Sequence, residues 1–315
     1  MGVKGYKAFN KGMICRGKQY KENATYEENG NEICEAGVMH FCENPFDVLD
    51  YYQLVDENGN IPDFADVEAI GDVYKKGNKT ATNKLHIGAK LGLKGFVKAC
   101  VDFTIEKARV ESGKDNETDS SGYSAQIGSS GDYAKIDSSG DCAQIGSSGD
   151  YAKIGSSGYS AKIGSSGDYA QIGSSGYSAQ IGSSGYSAQI GSSGDYAQIG
   201  SSGDYAKIGS SGDYAKIGSS GDYAQIGSSG DYAQITSKGK NSVVMAAGYN
   251  SIAKAKIGSW ITLAEWIRTD KTNDSGKYIW IPKCVKTECV DGEHIKEDTF
   301  YKLVNGEFKE VESEE

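Results

Sequence analysis

The sequence predicts a mainly β protein: a parallel β-solenoid of nonapeptide repeats, with a small α+β domain and a helical cap before it and a β-rich cap after it. Three observations carry this. A nine-residue unit, I-G-S-S-G-D-Y-A-Q/K, runs through residues 121–235 without an insertion or deletion. Its isoleucines hold one phase, from Ile127, Ile136 and Ile145 through to Ile235. Within each unit Ala and Ile stand two apart, as in Ala134 and Ile136. A short repeat in strict phase gives one strand and one turn per unit and covers its apolar side by stacking on its neighbours.

The solenoid is expected over 112–257. Period-two spacing puts Ala and Ile on one face of the strand, with Tyr and Gln/Lys on the other. Ala and Ile form the core, because the opposite choice buries a lysine or glutamine in every unit. The remaining G-S-S-G-D reads as turn. Nine residues are too few for a closed coil, so two units, eighteen residues, make one. The sequence carries that period: the position before the core alanine reads Tyr133, Cys142, Tyr151, Ser160, Tyr169, Ser178. A triangular left-handed coil is the alternative. With ~4.8 Å per rung the perfect units span about 30 Å.

Residues 1–84 are not repetitive. Strands are predicted at Gly5–Phe9, Met13–Arg16, Thr25–Gly30 and Phe64–Ile70, with a helix from Pro45 to Tyr52 that Asn44 caps. Over 85–111, Leu93, Phe96, Val97, Cys100, Val101, Thr104 and Ala108 follow helical spacing. A helix over the open end of the first coil is the expectation, since that end exposes core and strand edges. Residues 258–315 form the second cap, in which Trp260 and Trp266 are expected to shield the core. Strands follow at Tyr278–Ile281, Cys284–Lys286 and Asp298–Phe308, with Val304-Asn305-Gly306-Glu307 a hairpin turn.

Composition narrows the function. Hydrophobic content is 37% and glycines number 43, values that favour disorder unless a register such as Ala-x-Ile is maintained. A net charge of −10 argues against a nucleic-acid groove. No signal peptide, membrane span or lipid-anchor motif is read in the sequence. Cys15, Cys34, Cys42, Cys100, Cys142, Cys284 and Cys289 are odd in number and irregular in spacing, which fits reduced thiols. The expected location is a bacterial cytoplasm or a virion assembled there.

Gly5-Tyr-Lys-Ala-Phe-Asn10, Cys15-Arg-Gly, Gln19-Tyr20, His40-Phe-Cys-Glu-Asn-Pro45 and Gly258-Ser-Trp-Ile-Thr-Leu-Ala-Glu-Trp266 resemble an uncharacterised family of phages, prophages and gut bacteria. In that family a small domain precedes repeats of variable number and a distinctive end segment; the resemblance implies such an origin and no activity. The A-x-I-G-x-x-G phrase and Asn250-Ser-Ile are similar to the heads of trimeric autotransporter adhesins. The repeat length resembles the calcium-binding nonapeptides of secreted toxins, but the aspartate directly follows the second glycine, and Tyr123, Tyr159, Tyr177 or Tyr186 replaces it in four units.

Several side-chain sets are candidates. Tyr133, Tyr151, Tyr169, Tyr196, Tyr205, Tyr214, Tyr223 and Tyr232 form a surface ladder that either stabilises the rod or binds a partner. Asp132, Asp150 and Asp168, then Asp195, Asp213 and Asp231, repeat at the coil period, to cap turn amides or else to hold a cation. Arg16, Tyr26 and Glu68 loosely resemble the order of parts in ADP-ribosyltransferases, where a basic residue and a glutamate hold NAD. Cys34, His40 and Cys42 are a partial zinc set. No nucleophile–base pair, P-loop or dinucleotide fingerprint is present. The reading is a non-enzymatic scaffold without cofactor or metal, which binds itself, a host protein or a small ligand. An NAD-using transferase and an acidic decoy of a host factor are the alternatives.

Overall fold

The computed structural model of the chain describes residues 2–30, 37–107 and 117–312. It is mainly β, with 47% strand and 7% helix, and the solenoid makes about 8 turns over residues 126–263. Strands of consecutive units alternate between two parallel sheets, so each coil is two units and each strand pairs with the one eighteen residues on. Sheet one contains Lys135–Ser138, Lys153–Ser156 and their successors through Val243–Ala246 to Trp260–Thr272. Sheet two contains Gln126–Ser129, Gln144–Ser147 and their successors to Ile252–Lys254. Identical residues stack in register, Ile136 on Ile154 in sheet one and Ile145 on Ile163 in sheet two.

The strand is Gln/Lys-Ile-Gly-Ser, four residues set later in the unit than period-two reasoning places it. Ile points in, Gly points out and the first Ser of each pair points in: Ser147, Ser165, Ser183 and Ser201 are fully buried. That serine is therefore core, a correction to the reading of G-S-S-G-D as turn. Tyr is not on the sheet face either. Tyr133, Tyr151, Tyr169, Tyr196, Tyr205, Tyr214, Tyr223 and Tyr232 occupy the turn itself, each with φ between 55 and 58°. The glycine after the serine pair is required for a different reason, close approach of coils. A Cβ at Gly149 would lie 1.9 Å from the Gly131 carbonyl oxygen of the preceding coil.

The N-terminal domain has a four-stranded antiparallel sheet in the order Val3–Phe9, Asp63–Ala69, Lys84–Leu91, Ala24–Glu27. A three-stranded sheet of Met39–Phe41, Lys79–Thr82 and Val73–Lys76 accompanies it. The predicted helix at Pro45 is a 3-10 segment, Pro45–Asp50, with the Asn44 side chain accepting from the Phe46 amide. Strand Lys84–Leu91 and helix α1, Leu93–Lys107, belong to this domain, since Phe96 stacks on Phe64 at 3.7 Å. The domain thus extends past residue 84. Of the helical positions read in the sequence, Ala108 lies outside the described residues.

Helix α1 does not cover the open end. It lies along the flank of sheet two, over the strands from Gln126 to Ser183. The glycine of each strand leaves a groove there, and the helix fills it. Val101 and Thr104 stand over Gly146, Val97 over Gly182, and further along Leu54 over Gly200 and Val55 over Gly218. The apolar stripe of α1 is thereby removed from water on a ready-made groove.

At the other end a cap closes the core as expected, with different residues. Val290, Ile295, Tyr301 and Leu303 join the isoleucine core. Trp260 instead faces outward on sheet one, 49% exposed, because alternation along its strand sends Ile261 and Leu263 inward. Trp266 donates from Nε1 to the Ala247 carbonyl oxygen at 2.9 Å. The hairpin at Asn305-Gly306 forms with both residues at positive φ.

Candidate functional site

The two long faces of the rod have one sequence and two surroundings. On sheet two the first residue of each of the five strands that begin at Gln144, Lys162, Gln180, Gln198 and Lys216 bonds the N-terminal domain. Gln144 donates to Asp47 at 3.0 Å, Lys162 donates to the Phe46 carbonyl at 3.1 Å and pairs with Asp50, and Gln198 accepts from the Leu54 amide at 2.7 Å. Lys216 reaches Gln53 and Glu57. On sheet one the equivalent Lys153, Gln171, Gln189, Lys207 and Gln225 are exposed. A Cβ at Gly173, Gly191 or Gly209 would meet nothing within 4 Å. The result is an open glycine trough beside a Gln/Lys ridge. Toward the C-terminal cap it turns apolar, with Val243, Met245 and Trp260 exposed.

Tyrosine rings line both edges of this face. One edge stacks Tyr133, Tyr151 and Tyr169 at 5.0 Å, and Tyr205 on Tyr223 at 4.9 Å. The other stacks Tyr196, Tyr214 and Tyr232 at 4.8 to 4.9 Å within 3° of parallel. The eight residues singled out in the sequence therefore split into two columns. Sequence reasoning missed the members that join them. Tyr186 bridges Tyr169 to Tyr205, and Tyr159 and Tyr177 extend the second column, which Tyr249 and Trp280 finish. Where Asp-Tyr becomes Tyr-Ser, the ring comes from one residue earlier and the ladder continues; the substitution of Tyr for Asp in those units was the available signal. Partial desolvation inside the stack, then neighbouring phenols, push Tyr151, Tyr177 and Tyr205 above the usual phenol range.

The aspartates have a backbone role. Asp132 Oδ1 accepts from the Asp150 amide at 2.9 Å, Asp150 from Asp168 at 2.8 Å, and Asp213 from Asp231 at 2.7 Å. Each carboxylate satisfies a turn N–H one coil on, which offsets the repulsion of like charges in a column. Among the described residues no cluster of three His, Cys, Asp or Glu could hold a metal ion.

In the N-terminal domain Arg16 lines a cavity of about 530 Å³ that neither Tyr26 nor Glu68 lines. Cys34 lies outside the described residues. Burial pushes the Cys42 thiol up to about 12 and, together with Lys79 and Lys7, holds His40 down at about 4. The six described cysteines are free, and among the described residues no helix is long and apolar enough to cross a membrane.

These features define a two-sheeted parallel β-solenoid with an α+β domain docked along one flank. Residues 3–99 match a family described as a domain of unknown function, DUF7666. No curated protein and no solved structure matches the chain.

Proposed function

We propose that the chain is a non-enzymatic scaffold of phage or prophage origin that assembles with a second copy of itself through sheet one. The carrying observation is the pair of glycine troughs: the fold fills one in cis with α1 and leaves its twin open. The open face is self-complementary in shape. A copy turned end for end lays its Gln/Lys ridge in the other's glycine trough, as Val97 and Val101 lie in the trough of sheet two. Eight rungs of four residues present roughly 500 Å² per copy, near the lower bound for a specific interface before the tyrosine edges are added. The exposed Val243, Met245 and Trp260 extend the same surface.

Light scattering on the purified chain tests this. The control replaces Gly173, Gly191 and Gly209 with Thr, which fills the trough with a residue suited to strands. A wild-type dimer that becomes monomeric in the variant supports the reading. A wild-type chain that stays monomeric at high concentration overturns it, and leaves the face for a partner of another kind.

A further inference from the structure

The cavity of the N-terminal domain carries charge of the wrong sign for its surroundings. In a chain of net charge −10, the cations Lys7, Arg16, Lys18 and Lys79 line it, against one carboxylate among the described residues, Glu28. Glu28 is committed to Lys18 at 2.7 Å, and Lys79 sits 4.0 Å from the centre of the Tyr51 ring. Lys7 and Arg16 remain without a carboxylate among the described residues.

Lys7 is 7% exposed. Its ammonium donates to the His40 carbonyl oxygen at 2.8 Å, has the Cys15 sulfur as a second hydrogen-bond partner, and otherwise faces the Phe9 and Tyr20 rings at 5.4 and 5.9 Å. A buried ammonium held only by a carbonyl and a sulfur, both weak partners for a full charge, is costly, and an anion beside it offsets the cost. Burial accordingly lowers the Lys7 pKa.

Arg16 offers an independent sign. It is the first central residue of the two-residue turn between Ile14–Cys15 and Lys18–Gln19, with φ +50° at Arg16 and +76° at Gly17. Such a turn favours Asn, Asp or Gly, and an arginine there is held in a disfavoured conformation. Strain kept at a cation on the rim of a cavity is the pattern of a binding residue.

We propose that this cavity binds a small ligand of nucleotide size, with an oxyanion between Lys7 and Arg16 and a flat ring against the tyrosines of the wall. The volume suits such a molecule, and the half-buried Tyr52 and the exposed Tyr51 supply ring surface for stacking. The assignment does not depend on self-assembly.

The test is calorimetry on the full chain with the four common nucleoside 5′-monophosphates, and with adenosine and inorganic phosphate as separate arms. At least one nucleotide is expected to bind more tightly than phosphate or adenosine, and addition of salt should weaken it. Lys7→Met and Arg16→Asn should each reduce affinity about tenfold or more. In the unliganded protein both should melt at the wild-type temperature or above, since one removes a buried charge and the other suits the turn. A merely structural lysine or arginine would lower it. The nucleotide should also protect Cys15, which accepts a hydrogen bond from Tyr52 at 3.3 Å in this cavity, from alkylation. No binding in any arm at 1 mM, phosphate binding as tight as the best nucleotide, or a lower melting temperature in both variants overturns the proposal.

Discussion

Sheet one and sheet two are built from the same four-residue strand, yet Lys162 is buried beneath a 3-10 turn and Lys153, nine residues earlier, stands in water. Nothing in the repeat distinguishes them. The repeat determines the coil, and the non-repeating residues ahead of it determine which flank is covered. Val97, Val101 and Thr104 on α1, then Leu54 and Val55, meet successive glycines of sheet two. One short helix and one loop thus divide two equivalent surfaces into an interior and an exterior.

The comparison is most directly broken by filling each trough in turn. In Gly146→Val the new Cβ would start 3.0 Å from Val101 Cα and Thr104 Cβ, so α1 must lift or bend. Overpacking of this kind costs about 3 kcal/mol. In Gly191→Val the space is open and strand propensity improves, so stability should change by less than about 1 kcal/mol, upward. Urea unfolding followed by circular dichroism, at concentrations low enough to keep the chain monomeric, measures both; equal losses there would mean that sheet one is covered within the single chain.

A smaller difference is expected from the lysine pair. Lys162→Ala removes a charged hydrogen bond to Asp50 and one to the Phe46 carbonyl, at a cost of about 2 kcal/mol. Lys153→Ala, on the face left open in the single chain, should fall within about 0.5 kcal/mol of wild type under the same monomeric conditions. Matching effects would contradict the docking of the N-terminal domain on sheet two.

How much of this was legible in the sequence follows from where information is repeated. The Ile register and the eighteen-residue alternation from Tyr133 to Ser178 were enough for the coil and the alanine–isoleucine part of its core, because every unit votes for the same answer. The strand boundary was not legible: Tyr-Ala-Gln-Ile and Gln-Ile-Gly-Ser alternate equally well, and only the turn with Tyr at positive φ decides between them. The helical pattern of Leu93 to Thr104 was visible, but its landing site was not. Periodicity shows that a helix has an apolar face and is silent on which of two like surfaces receives it. The cavity around Lys7 gave no signal, since its walls come from segments as far apart as Tyr6, Arg16, His40 and Lys79.

Between the two faces lie the tyrosine edges, whose expected energies are smaller still. A residue such as Tyr214 at φ +56° carries a penalty of about 1 kcal/mol, and its stacked neighbours return a similar amount. Asn250, in that column, and Asn241, in the other, occupy the same turn position at φ 57 and 55°. Tyr214→Asn should therefore be near neutral in unfolding free energy, whereas Tyr214→Ala keeps the strained turn, loses the ring and should cost about 1–2 kcal/mol. A large loss in Tyr214→Asn would show that the ladder holds the rod together and is not principally a surface.

The smallest effect is a pH dependence of the covered face. Burial against sheet two raises the pKa of Asp47, opposed by its hydrogen bond from Gln144 and by Lys162. A carboxyl raised in the folded state is charged less readily there than in the unfolded chain. Its contribution is therefore most favourable when protonated, and stability falls as pH rises from the unfolded-state value, near 3.8, through the higher folded one. Asp231, raised by burial in its turn, acts with the same sign. Asp47→Asn should be slightly more stable than wild type at pH 7 and should remove part of this slope. Urea midpoints between pH 4 and 7 for the two proteins decide it, because an Asp47 whose charge stabilises the docked domain would give a steeper fall toward acid in wild type and a less stable variant at neutral pH.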